Sequence, residues 1–340
     1  MAQRKMMFAY IGKTYGGTEY YQNNYEFLCT NFPDVTDIII CHSNNYNQVG
    51  AQSTSGYDTI INGGNANVNL VACTNVMKKY NMPFYVALPS VNVNSKLGTG
   101  SYSDEYENWK TYLSKVRTAL TNNGSWGLCK GFYLSNEIIT GTINQNNIMG
   151  HTFAKLLNDI AYVIRSDPNS KYYREFIWVP YLGYNINFIG INNNNGILAN
   201  KTNIFDMVVF QPHYYYMGDT GEFNPSTNEG TPPENKELAA KCALDNKVYN
   251  FASKTNRTSY VVVAGSKTAS TKIGVEIEVD HRAVTYPQTK FCNLYREQCE
   301  AIGSVVGTDA PIVFYCGSGD TQIDAKNTVN RFFQNGTSYI

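Results

Sequence analysis

Eight short runs, apolar almost throughout, recur along the chain at 6–12, 36–43, 83–90, 131–137, 175–181, 205–213, 273–280 and 311–316. They are rich in β-branched and aromatic residues, and the stretches between them are long enough to hold a helix each. A strand that is apolar on both alternating faces needs cover on both sides, which parallel strands joined by helices receive. Helical spacing predicts helices over 18–31, 67–80, 104–122, 147–166, 235–254, 286–302 and 320–334, with a short one over 196–203. In the third of these, Ser103-Asp104-Glu105 supplies a cap and first-turn acids ahead of Tyr106, Trp109, Leu113, Val116 and Leu120, and Asn122-Asn123-Gly124 ends it.

Eight strand-helix units predict a (β/α)8 TIM barrel, an α/β fold built as one domain over residues 1–340. A doubly wound open sheet is the alternative. It usually has fewer strands, and the first turn, Gly12-Lys13-Thr14-Tyr15-Gly16-Gly17, has neither the dinucleotide nor the P-loop glycine spacing. Two stretches fall outside the repeat. Residues 217–234, rich in Gly, Pro, Thr and Asn, form an expected insertion after strand six that overhangs the mouth. Residues 259–272, opening with Ser-Tyr-Val-Val-Val-Ala, are an expected hairpin inserted before strand seven.

Composition narrows the partners. Lys plus Arg and Asp plus Glu both number 27, so no basic excess exists to neutralise phosphates or an anionic membrane. Nucleic acid and membrane partners are therefore not expected, and no run approaches the roughly 18 apolar residues of a membrane span. Charged residues are only 16%, while Tyr reaches 27 and Asn is abundant. Amides and phenols hydrogen-bond neutral hydroxyls and stack on flat apolar faces, a chemistry suited to carbohydrate, although loop Asn tracts such as 192–195 account for part of the excess. The eight cysteines form no CxxC pair and mostly fall inside apolar patterns, as free core thiols do. No secretion signal is visible ahead of 6–11, so the chain is expected to be cytoplasmic or to have lost a signal. Neither a zinc pattern nor HExxH occurs among the four His, and neither metal nor cofactor is expected.

Barrel enzymes build their sites at the C-terminal strand ends. Strand four ends in Asn136-Glu137 and strand seven carries Glu276, Glu278 and Asp280, which alternation puts on one face, with Val275, Ile277 and Val279 on the other. The apolar set must face the helices, so the carboxylates point into the lumen or its mouth, where poor solvation makes them costly. Each has a bland alternative: Glu137 as a helix cap, Asp280 as a surface charge, Glu276 as a buried group paired with Arg or Tyr. Strand six closes with Gln211-Pro212-His213 and strand two with His42, either of which can be a site residue or a satisfied structural histidine. No GxSxG elbow exists for a nucleophilic serine. Two carboxylates on opposed strand ends are the pattern that glycoside hydrolysis uses, and a retaining site needs them about 5–5.5 Å apart.

These ends resemble those of the clan A glycoside hydrolases, whose acid/base Glu follows an Asn on strand four and whose nucleophile is a Glu on strand seven. The likeness implies Glu137 as acid/base, Glu278 as nucleophile and His213 as a neighbour orienting it, supported by Asn136, Gln211, Glu276 and Asp280. Gln211-Pro212-His213 and Glu278-Val279-Asp280 are similar to the strand ends of that clan's xylanases. Gly131-Phe132-Tyr133, Phe176 to Tyr181, Phe210 to Tyr215 and Gly274 to Asp280 resemble an uncharacterised bacterial barrel family, over about residues 129–280. His213 stands where that family has Asn, and the 259–272 insertion departs from it. After strand eight, Tyr315 stands where a Trp platform is usual.

The expected function is therefore a retaining glycosidase, a hydrolase degrading a neutral oligo- or polysaccharide, with Tyr10, His42, Trp178, Tyr181, Tyr214, Tyr215 and Tyr315 as candidate substrate-binding groups. Aromatics at strand ends are as readily core. A non-catalytic glycan-binding barrel on a surface or particle, and a transglycosidase or lyase using the same pair, are the alternatives.

Overall fold

A computed structural model describes residues 3–13, 19–20, 22–42, 54–63, 69–90, 102–136, 148–166, 174–180, 204–211, 223–224, 229–230, 272–278, 310–316, 326 and 329–330. All eight expected runs contain strands: β1 (Lys5–Lys13), β2 (Asp37–His42), β3 (Phe84–Leu88), β4 (Cys129–Leu134), β5 (Glu175–Trp178), β6 (Met207–Phe210), β7 (Lys272–Glu278) and β8 (Ile312–Tyr315). Each pairs in parallel with the next, and β8 pairs in parallel with β1, Ile312 opposite Lys5. The sheet is closed, which removes the edges an open sheet would expose.

Five helices are described: α1 (Gln22–Asn31), α2 (Thr54–Ile61), α3 (Leu70–Lys79), α4 (Tyr102–Asn122) and α5 (Ile148–Arg165). Four match expected helices, and α3 is capped by Asn69, whose Oδ1 accepts the Ala72 amide at 2.9 Å. Helix α2 had no spacing to announce it. Thr-Ser-Gly-Tyr-Asp-Thr-Ile-Ile contains glycine and β-branched residues, which are poor helix formers. It forms because Tyr57, Ile60 and Ile61 are buried, with Tyr57 edge-on to Tyr112 of α4 at 5.2 Å, tertiary packing overriding propensity. The expected helices at 196–203, 235–254 and 286–302 lie outside the described residues. Of 320–334, residues 326, 329 and 330 are described, and they are helical. Within the 217–234 insertion, Phe223–Asn224 pairs antiparallel with Glu229–Gly230. Of the expected 259–272 hairpin, only Lys272 is described, and it opens β7.

The strand registers give the barrel's stagger. From Phe8 the pairing leads to Ile39, Tyr85, Gly131 and Glu175. Moving two residues up β5 to Ile177 leads to Met207 and Lys272. Three more residues up β7, to Val275, lead to Ile312 and Lys5, three short of Phe8. One circuit thus climbs eight residues over eight strands, the shear of a (β/α)8 barrel, and residues at equal height advance by one position per strand.

That rule sorts the lumen into layers drawn from alternate strands. Met6, Tyr85, Ile177 and Gly274 form one, Ile39, Tyr133, Val209 and Val313 the next, and Phe8, Ala87, Val179 and Glu276 the third. The apolar members of all three belong to one buried inner cluster. The opposite parity, including Met7, Ile38, Val86, Phe132, Phe176, Ile277 and Phe314, joins the helices in a larger outer core. Phe8 locks the layers together, edge-on to Tyr133 at 5.5 Å and to Tyr315 at 6.2 Å between centroids.

A polar network closes the N-terminal end of the lumen. Arg4 donates to Asp37 at 2.9 Å, to the Tyr85 hydroxyl at 3.0 Å and to Glu175 at 3.4 Å, while Tyr85 donates to Glu175. Burial pushes the Tyr85 hydroxyl well above its ordinary pKa, and the Glu175 charge adds to this, so the phenol remains a donor. Burial alone would lower the Arg4 pKa. Tyr85, Glu175 and Asp37 outweigh it and raise the value.

Candidate active site

At the opposite, C-terminal end the ladder runs out and the last carbonyls lose their strand partners. Side chains supply the missing donors. The Tyr25 hydroxyl on α1 donates to Tyr10 O at 2.7 Å. On α4, Tyr112 donates to Ala87 O at 3.1 Å and the Trp109 indole to Pro89 O at 3.0 Å. Ser135 donates to Leu88 O, the Trp178 indole to Asn136 O at 2.9 Å and the Gln211 amide to Val179 O at 2.9 Å. Burial lifts the Tyr112 hydroxyl well above its ordinary pKa, keeping it a donor. Four neighbouring strand ends and β1 are therefore pinned, which gives a rigid frame to whatever projects above it.

Glu276 occupies the top filled layer. It is 2% exposed, the single carboxylate among Phe8, Ala87 and Val179. A buried carboxylate is expensive unless its charge or its proton has a use. The layer above consists of Cys41, Ser135, Gln211 and Tyr315 by the same one-residue-per-strand rule, and Tyr315 is only partly buried. Glu278, the last residue of β7, pairs in register with Tyr315. Counting around the ring, Leu134 at the end of β4 is level with Glu276, and Asn136 is level with Glu278. Tyr10 reaches the same height on β1 and is likewise only partly buried.

The expected residues divide on these heights. Gln211, Glu276, Tyr10 and Tyr315 gather in the upper lumen and at its rim, while Asn136 stands at the same end with the outward parity of Leu134. The backbones of His42 and Glu278 end β2 and β7 at the same mouth. Glu137, Tyr181, His213, Tyr214, Tyr215 and Asp280 lie outside the described residues. Trp178 does not face the lumen. It is fully buried in the outer core, stacked on Phe205 at 5.4 Å, and its parity on β5 excludes it as a sugar platform. Its position was misread because it is followed by the strand-end residues Val179-Pro180, but Ile177 and Val179 are the lumen-facing pair. Cys41 and Ser135 escaped notice at the mouth. Strand alternation from Ile39 and Tyr133 is the signal that finds them.

Among the described residues no group of three His, Cys, Asp or Glu could hold a metal ion, and no helix is long and apolar enough to cross a membrane. Cys29, Cys41, Cys73, Cys129 and Cys316 are free thiols.

No protein-family model matches the chain, and no curated protein does, so the likeness to an uncharacterised bacterial family has no counterpart at the level of sequence. Solved structures do match. A GH18 chitinase from Pseudoalteromonas aurantia superposes with a TM-score of 0.51 at 10% identity, over 97% of this chain and 99% of the chitinase. A GH5-4 broad specificity endoglucanase from Clostridum cellulovorans gives 0.52 at 9% identity, over 98% of each chain. At such identity the likeness establishes the architecture: this chain is a (β/α)8 barrel, a fold it shares with glycoside hydrolases along nearly its whole length.

Proposed function

We propose that this barrel is a retaining glycoside hydrolase acting on a neutral oligo- or polysaccharide. The observation that carries the reading is the height of the carboxylate-bearing positions: Glu276 buried in the top filled layer of the lumen, and Glu278 two layers higher on the same strand, level with Asn136. In this mechanism Glu278 attacks the anomeric carbon as Glu137, the residue after Asn136, gives its proton to the departing glycosidic oxygen. Water then displaces Glu278 from the sugar, with Glu137 taking the proton back. Glu276 supports Glu278 from below, and Asn136 or His213 hydrogen-bonds the nucleophile, keeping it ionised beside an acid of raised pKa. Gln211 and Asp280 frame the pair. Tyr10, His42, Tyr181, Tyr214, Tyr215 and Tyr315 supply the contacts to the sugar. The shared fold and the absence of a basic surplus are consistent with a neutral substrate.

Hydrolysis of a panel of aryl glycosides and defined oligosaccharides, with proton NMR of the first-formed anomer, tests the assignment. Glu278→Gln should lose at least about a thousandfold in kcat, and the product should keep its anomeric configuration. Glu137→Gln should lose turnover on natural leaving groups and retain much of it on activated aryl ones. An unchanged rate in Glu278→Gln removes Glu278 as nucleophile, and glycan binding without turnover in the unmodified chain favours a binding barrel.

A further inference from the structure

The outer wall between α4 and α5 holds a cavity of about 370 Å³, within the range of about 300–1,000 Å³ typical of small-molecule sites. Its base is apolar, formed by the buried Leu113, Phe132 and Ile164. Two aromatic rings join the lining: Trp126, half-buried, and Tyr162, which at 51% exposure is the one exposed large hydrophobic residue among those described. Arg174, itself buried, donates to Trp126 O at 2.9 Å and sets its guanidinium 4.3 Å from the ring centroid, which holds Trp126 in place.

The other rings of this wall are taken. Tyr102 and Tyr106 stack at 5.9 Å between centroids with their planes 9° apart, and Lys155 and Lys110 lie 4.2 and 4.9 Å from the respective centroids. Trp126 and Tyr162 are therefore the rings with surface to offer. The cations are engaged as well: Lys110 with Glu107 at 2.9 Å, Lys155 with Asp159 at 2.5 Å, and Arg117 in an interaction of its own. A charged ligand has to compete with these pairings, and a neutral one does not.

The cavity is also connected to the mouth by a single helix. Trp109 and Tyr112 of α4 donate to Pro89 O and Ala87 O at the top of β3, so α4 begins at the mouth end and descends. From Tyr102 to Leu113 it falls about 17 Å, a distance that a chain of several sugars spans and a single sugar does not.

We propose that this wall is a non-catalytic binding site for a neutral glycan chain. A sugar ring lays its apolar C–H face on Trp126 and Tyr162 and turns its hydroxyls toward solvent and the exposed Ser114, and the rest of the chain leads up α4 to the mouth. The choice of ligand rests on the hydrolase reading, but the site shares no residue with the mouth.

Tryptophan emission reads this wall, because Trp109 and Trp178, the other two of the three tryptophans, are buried. The probes are cellohexaose, xylohexaose and N-acetylchitohexaose, titrated into the Glu278→Gln chain so that none is cleaved. At least one should shift the emission and protect it from acrylamide at least twofold, with a submillimolar dissociation constant. Trp126→Phe should abolish the response, and Tyr162→Ala should weaken binding at least fivefold, with circular dichroism checking that each variant is folded. The inference is overturned if no hexasaccharide gives the response, if the response survives Trp126→Phe, if Tyr162→Ala binds as the parent does, or if the neutral aromatic 2-naphthalenemethanol binds more tightly than every hexasaccharide. A wall response in a chain that cleaves no glycoside keeps this inference and removes the hydrolase reading, whereas turnover without that response does the reverse.

Discussion

Replacing Tyr85 with Phe isolates the polar floor of the barrel. The ring stays, so no cavity opens, and the change is confined to one hydroxyl that accepts from Arg4 at 3.0 Å and donates to Glu175. Hydrogen bonds to charged groups contribute about 1.5–3 kcal/mol each, so the simple sum is about 3–6 kcal/mol. The structure argues for less. Arg4 keeps Asp37 at 2.9 Å, and the Arg4 and Glu175 side chains each retain 26% exposure, so water replaces part of what is lost. The expected loss is about 2 kcal/mol, read as a lower urea midpoint with an unchanged slope and a Tm lower by about 3–5 °C. The cycle with Glu175→Gln should show a coupling of about 1 kcal/mol, because both changes break one contact. A loss below about 0.5 kcal/mol, or strict additivity, would refute the claim that this hydroxyl holds the floor together. The sign with pH is definite. The Tyr85 pKa is raised, so its contribution is complete below the ordinary tyrosine range and disappears as pH climbs through the raised value.

Other consequences follow the same logic. Burial pushes Cys73 and Cys129 up from 9.0 to about 12, and Tyr57 from 10.0 to about 12. These groups stabilise the fold below pH 9 and cease to do so toward pH 12, so urea midpoints should fall across that window. Iodoacetamide at pH 8 should label Cys73 and Cys129 only after unfolding, and labelling within minutes in the folded chain would contradict their burial. A methyl group at Gly131 would stand 1.9 Å from Glu175 O, inside the β4–β5 ladder, whereas one at Gly127 meets nothing within 4 Å. Gly131→Ala should therefore cost more than about 3 kcal/mol or abolish soluble expression, and Gly127→Ala should be nearly silent by thermal denaturation. Trp178→Phe keeps the ring on Phe205 but removes the donor to Asn136 O, so kcat should fall about tenfold with little change in KM. Equal kcat in that variant would show that the β4 end needs no such tether.

The strands were legible because burial on both faces leaves few polar positions, and all eight runs are found where the apolar pattern stands. Their closure was legible only as a count. The stagger of eight comes from registers that depend on long-range pairing, and no local pattern records it. The same limit holds for the faces of the strands. Met6 to Ile11 and Phe176-Ile177-Trp178-Val179 are apolar at every position, so nothing local tells inside from outside, and the inward parity of Tyr10 and the outward parity of Trp178 come only with the closed sheet. Helix α2 is illegible for a third reason: its residues are poor helix formers held by packing on α4, which lies about fifty residues on in the sequence.

Composition acquires a different meaning once the rim is visible. Abundant tyrosine first suggested carbohydrate, but Tyr25 and Tyr112, with Trp109 and Trp178, turn their polar tips to backbone carbonyls from the outer shell. An aromatic residue is suited to that place because its body fills the space between helix and strand while its single donor reaches a carbonyl that the ladder has left. Part of the aromatic excess therefore builds the frame and says nothing about a ligand. The few charges in the lumen are what chemistry would use. Glu276 stands in a layer otherwise made of Phe8, Ala87 and Val179, and Glu278 follows two layers higher. Glu276→Leu measures the point: a more stable barrel with less turnover marks a carboxylate kept for its reaction, and a less stable barrel with full turnover marks one kept for the fold.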